Sequence, residues 1–164
     1  MGKLEDLNQA PREEFVREVG PVFEHSPWIA QRAAAGRPFA SVDALFAALC
    51  AGVRAAAVEE KMALICAHPD LVTHAVLTRE SQTEQASAGL RALSAAEARR
   101  FQEYNDAYRE RFGFPFVICA RLNKKEAILR AFPERLQNSR EKEIDTALEE
   151  IYKIADLRLC DLFS

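Results

Sequence analysis

The run FGFPFVICA at 112–120 most constrains what this chain can fold into. Gly113 and Pro115 interrupt an aromatic and β-branched stretch, so it reads as extended rather than helical. No second run in the sequence offers a partner strand. A sheet is therefore not expected, and the architecture has to come from helices. The run raises its own problem, because an extended apolar backbone inside a helical protein must still find partners for its N–H and C=O groups. Water, another loop or a ligand would serve.

Almost every other segment carries helix grammar. PREEFVREV (11–19) opens with Pro in the first turn and acids behind it, a favourable start. SPWIAQRAAA (26–35) repeats the pattern with Ser26 as cap and Pro27 at the first helical position. GRP at 36–38 is a break. Ser41 then caps one long apolar helix running through ALFAALCAGVRAAAVEE, with KMALICA (61–67) helical up to Pro69. Pro69 disfavours helical geometry at His68. Ser81 starts a further helix, and Ser94 with Glu97 forms a capping box that leads a helix toward Arg111. Helices near 124–131, 133–138 and 140–162 follow. The fold expectation is all-α: a single-domain helical bundle spanning 1–164, with one short extended apolar segment near 112–120. A chain of 164 residues can bury such a core without disulfides or metal.

Charge narrows the partners. The net charge is −3, and basic residues alternate with acids, as in KKEAILR (124–130) and REKEID (140–145). No basic stripe marks a nucleic-acid surface. The apolar runs are too short to span a bilayer, and MGKLEDLNQ has no apolar signal core, so a cytoplasmic location is expected. Cys50, Cys66, Cys119 and Cys160 sit in apolar contexts with no CxxC pairing and no zinc spacing. They read as buried thiols in a reducing compartment. Cys66, two residues before His68, is a secondary candidate nucleophile.

Three places can carry chemistry. His68 stands where an apolar helix meets Pro69, an imidazole at the edge of a core with a rigid backbone behind it. That suits either a hydrogen-bonded boundary residue or a proton carrier near neutral pH. His25 and His74 read as a loop residue and a residue on a short surface helix. In ESQTEQASAGL (80–90), Ser81 and Glu84 have capping-box spacing, yet Glu84 and Gln85 equally suit one wall of an anion site. Arg158 is the geometric clue. On a 3.6-residue repeat centred at Ile151, the residues Ile144, Leu148, Ile154, Ala155, Leu159 and Leu162 gather within about 80°. Arg158 falls about 20° from the centre of that stripe. An inward arginine keeps its charge and needs a carboxylate, with Glu84 one candidate, or a bound anion.

HPDL (68–71), ESQTEQASAGL (80–90), YNDAYRERFGFPFVICAR (104–121) and IADLRLCDL (154–162), in that order, form a specific combination. On these blocks the chain resembles 2-oxo-4-hydroxy-4-carboxy-5-ureidoimidazoline (OHCU) decarboxylase, from about residue 11 to 162. The resemblance implies an all-α homodimer acting on a small molecule in urate breakdown, a carboxy-lyase using no metal and no organic cofactor. It implies that His68 transfers protons, with Pro69 beside it in the substrate pocket. It further places Ser81, Gln82, Thr83, Glu84 and Gln85, the segment Phe116, Val117, Ile118, Cys119 and Ala120, and Arg158 against substrate. His68, Glu84 and Arg158 would be the catalytic set. The link between HPDL and ESQTEQ is a few residues shorter than the family pattern.

Overall fold

The computed structural model describes residues 2–72 and 77–164. Nine α-helices and three short 3-10 turns account for the regular structure among the described residues, with no strand. They fall into two compact units: residues 1–67 with 152–164, and residues 68–151. The expected His74 helix lies outside the described residues.

The first unit holds α1 (Lys3–Gln9), α2 (Arg12–Val19), α3 (Trp28–Ala33), α4 (Val42–Arg54) and α5 (Val58–Cys66). Here α2 packs on α3, and α3 on α4, around Phe15, Ile29, Leu45 and Leu49. Ser41 caps α4 as expected, its hydroxyl accepting from the Ala44 amide at 3.0 Å. The long helix expected after Ser41 is instead two. The chain leaves helical geometry at Ala57 (φ −63°, ψ 154°) and restarts with the Glu60 carboxylate accepting from the Ala57 amide. A run of alanines carries no side-chain mark of such a break. Ser26 is likewise not the cap of α3, because its hydroxyl donates to the Glu24 carbonyl at 2.8 Å. At the 36–38 break, the Arg37 guanidinium donates to the carbonyls of Leu7 and Ala10 at 2.9 and 2.7 Å. This neutralises carbonyls that the C-terminus of α1 would otherwise leave open.

The second unit holds α6 (Arg79–Ser87), α7 (Ala95–Phe112), α8 (Lys125–Leu136) and the first half of α9 (Arg140–Leu162). The capping box of α7 is present in both directions, Glu97 N–H to the Ser94 hydroxyl at 3.1 Å and Ser94 N–H to the Glu97 carboxylate at 3.0 Å. Gly113 ends α7 at φ +81°, the left-handed conformation that glycine adopts without steric cost. One helix, α8, spans the two expected near 124–131 and 133–138, with Pro133 inside it. Pro133 is exposed, while Phe132 and Arg135 on either side of it are buried. Packing of those neighbours overrides a local cost of about 3 kcal/mol. The stripe drawn on α9 holds: Leu148, Ile151, Ile154, Ala155 and Leu159 are buried, and Lys142, Glu149, Lys153 and Asp156 are exposed.

Between α7 and α8 the run 113–119 is irregular and its side chains are buried from Phe114 onward, followed by a 3-10 turn at Ala120–Leu122. Phe116 stacks on Phe132 with ring centroids 3.8 Å apart, and Tyr108 meets Phe112, Phe114 and Phe116. Burying several such rings contributes about 2–3 kcal/mol each. The segment is therefore pinned by its aromatic side chains.

Candidate active site

His68 follows Ala67, the C-cap of α5, and is 6% exposed. The loop it opens is tied to two helices of its unit. The Asn105 amide donates to the Leu71 carbonyl at 2.8 Å, and the Val72 N–H donates to the Gln85 side-chain oxygen at 3.2 Å. Arg109 pairs with Asp70 at 3.0 Å. Val72 adopts φ +58°, where a β-branched residue is strained by about 1–3 kcal/mol. Its backbone stays there because its amide and the carbonyl before it are both held. His68 thus sits at the start of a braced loop.

Helix α6 resolves the ambiguity of ESQTEQ. Its cap is Thr78, whose hydroxyl accepts from the Ser81 amide at 3.1 Å. Ser81 is the third residue of the helix, so Ser81 and Glu84 form no capping box, and the expectation that Ser81 starts the helix is corrected by one turn. Ser81, Glu84 and Gln85, at i, i+3 and i+4, share one face. All three are buried. Gln82 and Thr83 lie on the exposed face instead, bonded to the nearby carbonyls of Leu77 and Arg79. The structure does not bring these two to the buried face.

Helix α6 packs against the turn at Ala120–Leu122, into which the segment 116–120 leads. Three of the segment's backbone groups, at Val117 and Cys119, are satisfied by side chains. Arg135 Nη1 donates to the Val117 carbonyl at 2.6 Å, and Glu150 Oε1 accepts from the Cys119 N–H at 3.1 Å. Asn123 Nδ2 donates to the Cys119 carbonyl at 2.9 Å. Arg135 is itself held by Glu143 at 2.8 Å. Glu143 accepts from the Tyr108 hydroxyl as well, and burial followed by that bond pushes the tyrosine well above its usual range. Burial also pushes the Cys119 thiol up, helped by the charges of Glu150 and Glu84. The second unit gathers the His68 loop, the Ser81–Glu84–Gln85 face and the 116–120 backbone.

Arg158 belongs to the first unit and is 6% exposed, as its place on the stripe implies. Its guanidinium donates to the Pro21 carbonyl at 3.1 Å and to the Glu24 carboxylate at 3.2 Å. The acidic partner seen is Glu24, in a loop that sequence periodicity does not reach.

A family model described as OHCU decarboxylase matches residues 8–160. The 2-oxo-4-hydroxy-4-carboxy-5-ureidoimidazoline decarboxylase of Halalkalicoccus jeotgali is 46% identical over 159 residues, covering 97% of this chain and 90% of that protein. The chain belongs to the OHCU decarboxylase family. Two crystal structures agree with it in fold. An (S)-allantoin synthase aligns with TM-score 0.77 and 32% identity over 98% of this chain, which spans 54% of that protein's chain. An OHCU decarboxylase solved in the presence of (S)-allantoin aligns with TM-score 0.73 and 27% identity, covering 94% of this chain and 99% of that one.

For a member of the OHCU decarboxylase family, several residues around the site were not singled out by sequence. Glu143 lies about 80° from the centre of the α9 stripe, the same angle as Leu159, so the periodicity already marked it as inward. Glu150 lies at about 100°, on the border. Asn105 carried no signal. The cysteines divide: Cys50 and Cys119 are buried as expected, while Cys66 and Cys160 are exposed, and none forms a disulfide. Cys66 therefore stands outside the buried set. Among the described residues no three His, Cys, Asp or Glu side chains cluster as metal ligands, and no helix is long and apolar enough to cross a membrane.

Proposed function

We propose that this chain is a carboxy-lyase that converts OHCU to (S)-allantoin in urate degradation, with His68 carrying its protons. The observation that supports the reading best is that one unit of a chain of this family holds His68's braced loop, the buried Ser81–Glu84–Gln85 face and the 116–120 backbone.

The chemistry follows from the substrate. OHCU carries a carboxylate and a hydroxyl on one ring carbon, beside a C=N carbon bearing the ureido group. Breaking the bond to CO2 sends its electron pair toward that C=N, so the substrate is its own electron sink. The ring nitrogen that receives the pair takes a proton from solvent, the hydroxyl loses its proton to become a carbonyl, and the neighbouring carbon gains one, on one face only for the (S) product. His68 is the side chain suited to this exchange near neutral pH. Glu84, held buried beside the segment, keeps the imidazole in the useful tautomer. Arg158 orients the substrate. With its charge partly offset by Glu24, it does not over-stabilise the departing carboxylate in the ground state, where tight binding would slow CO2 loss.

The test couples fresh urate oxidation and hydrolysis to the protein and follows allantoin by circular dichroism. Single-handed product forming faster than the spontaneous racemic background is expected. His68→Asn should lose about 10²- to 10⁴-fold in rate while keeping its helical spectrum. An unaccelerated wild type would overturn the function, and an active His68→Asn would overturn the histidine's role. The reading extends to a homodimer in the cytoplasm, where four cysteines without disulfides are at home. Light scattering in solution tests the dimer.

A further inference from the structure

Two side chains grip the backbone on either side of Ile118. Arg135 donates to the Val117 carbonyl at 2.6 Å, and Glu150 accepts from the Cys119 N–H at 3.1 Å. Each residue is only 8% exposed. In a trans peptide the C=O and the following N–H point in opposite directions. Fixing the Val117 carbonyl on Arg135 therefore turns the Ile118 N–H away from that guanidinium. Fixing the Cys119 N–H on Glu150 turns the Ile118 carbonyl away from that carboxylate. In extended backbone these two groups of one residue lie on the same side, and residues 115–119 form no helix, turn or bend. Ile118 thus offers a donor and an acceptor side by side. Such a pair complements a ligand edge with adjacent C=O and N–H, as in a ureido group or a ring amide.

We propose that Glu150 and Arg135 are positioning residues for the decarboxylation, setting the direction in which Ile118 presents its N–H and C=O to the ureido or ring-amide edge of the substrate. The inference rests on the function proposed above and names the substrate feature read by the segment. The grip is well supported from behind. Glu143, with no exposed surface, holds Arg135 at 2.8 Å and accepts from Tyr108 and Asn138. The Arg135 guanidinium lies 4.1 Å from the Phe116 ring centre, so it braces the side chain as well as the backbone of the segment. Glu150 leaves α9 one residue before Ile151, at the border of the buried stripe. A carboxylate is placed there at a considerable desolvation cost, and one of its oxygens accepts from a defined peptide N–H.

Glu150→Gln keeps an oxygen for the Cys119 N–H, and Glu150→Ala removes it. Both are measured in the coupled dichroism assay, for kcat, KM and the handedness of the allantoin formed, alongside thermal melting. The Ala variant is expected to lose at least about ten-fold in kcat/KM and part of its (S) excess, as a small misplacement of a substrate-positioning group does. The Gln variant should restore most of both. A purely structural role would lower the melting temperature of both variants and leave kcat, KM and handedness of the folded protein unchanged. If the Ala variant does not fold, Glu150→Asp, which withdraws the carboxylate by one methylene, takes its place with the same expected loss. A folded Ala or Asp variant with wild-type kcat/KM and handedness overturns the positioning role while leaving the activity standing. An inactive wild type overturns both.

Discussion

At the scale of single residues, this chain places charge where burial makes it costly and compensates each instance locally. Arg158 and Glu24 are the clearest pair, with side chains 5% and 2% exposed. Removing one member of such a pair leaves the other's charge buried without its counterpart, at a cost of about 3–5 kcal/mol. Glu24→Gln, which keeps the shape but not the charge, is therefore expected to lose about that much stability in urea denaturation. Adding Arg158→Met to Glu24→Gln should recover much of the loss, since apolar replacement of a buried pair is often nearly neutral. Losses that simply add in the double variant would show that the two charges do not depend on each other. Sequence periodicity reached one half of this pair. Arg158 stands on a helix whose 3.6-residue repeat reports its direction, whereas Glu24 lies between a 3-10 turn and α3, where no repeat exists. The same distinction runs through the proposed site. Glu84 and Gln85 were legible on a helix, and His68 beside its proline. Asn105 was not legible, because its importance comes from a carbonyl 34 residues away in sequence.

At the scale of elements, caps were legible where side chain and spacing agreed, and misread where two hydroxyls competed. Thr78 and Ser81 stand three apart, and both can cap. The chain starts α6 at the earlier one, which puts Ser81 and Glu84 one turn into the helix and turns them inward. Where alanines or a proline were the only marks, at Ala55–Ala57 and Pro133, packing rather than local preference decided. The α7 capping box offers a clean test. The Glu97 carboxyl is held below its usual value, first by the Ser94 amide and then by Lys125. A carboxyl depressed in the folded state contributes stability above its unfolded value near 4.5, and loses it as pH falls through the folded value. The stability gap between wild type and Glu97→Gln should therefore be open at neutral pH and close in acid. Ser94→Ala should cost about 1 kcal/mol at neutral pH. A gap that stays constant from pH 7 to acid would show that the Glu97 charge does not matter.

At the scale of the whole molecule, the question is whether residues 1–164 unfold as one domain. Two compact units are present, yet α9 runs without interruption from Arg140 to Leu162 and contributes to both. Helix formation is cooperative along a chain, so melting half of α9 exposes the other half to fraying. We therefore expect a single transition. The sequence supplies its own reporter, because the one tryptophan, Trp28, lies in the first unit. Ile128 is fully buried in the second unit. Truncating it to Ala should cost about 2–5 kcal/mol. In a protein of this size each kcal/mol lowers the midpoint by about 2–4 °C. If the chain is one domain, Trp28 fluorescence in Ile128→Ala shifts down with the far-ultraviolet dichroism, and both report the same midpoint. If Trp28 keeps its wild-type midpoint while part of the helical signal melts early, the units unfold independently. In that case the His68 loop, at the first residue of the second unit, would lose its bracing before the Arg158–Glu24 pair opened, and activity would fail at the lower of the two temperatures.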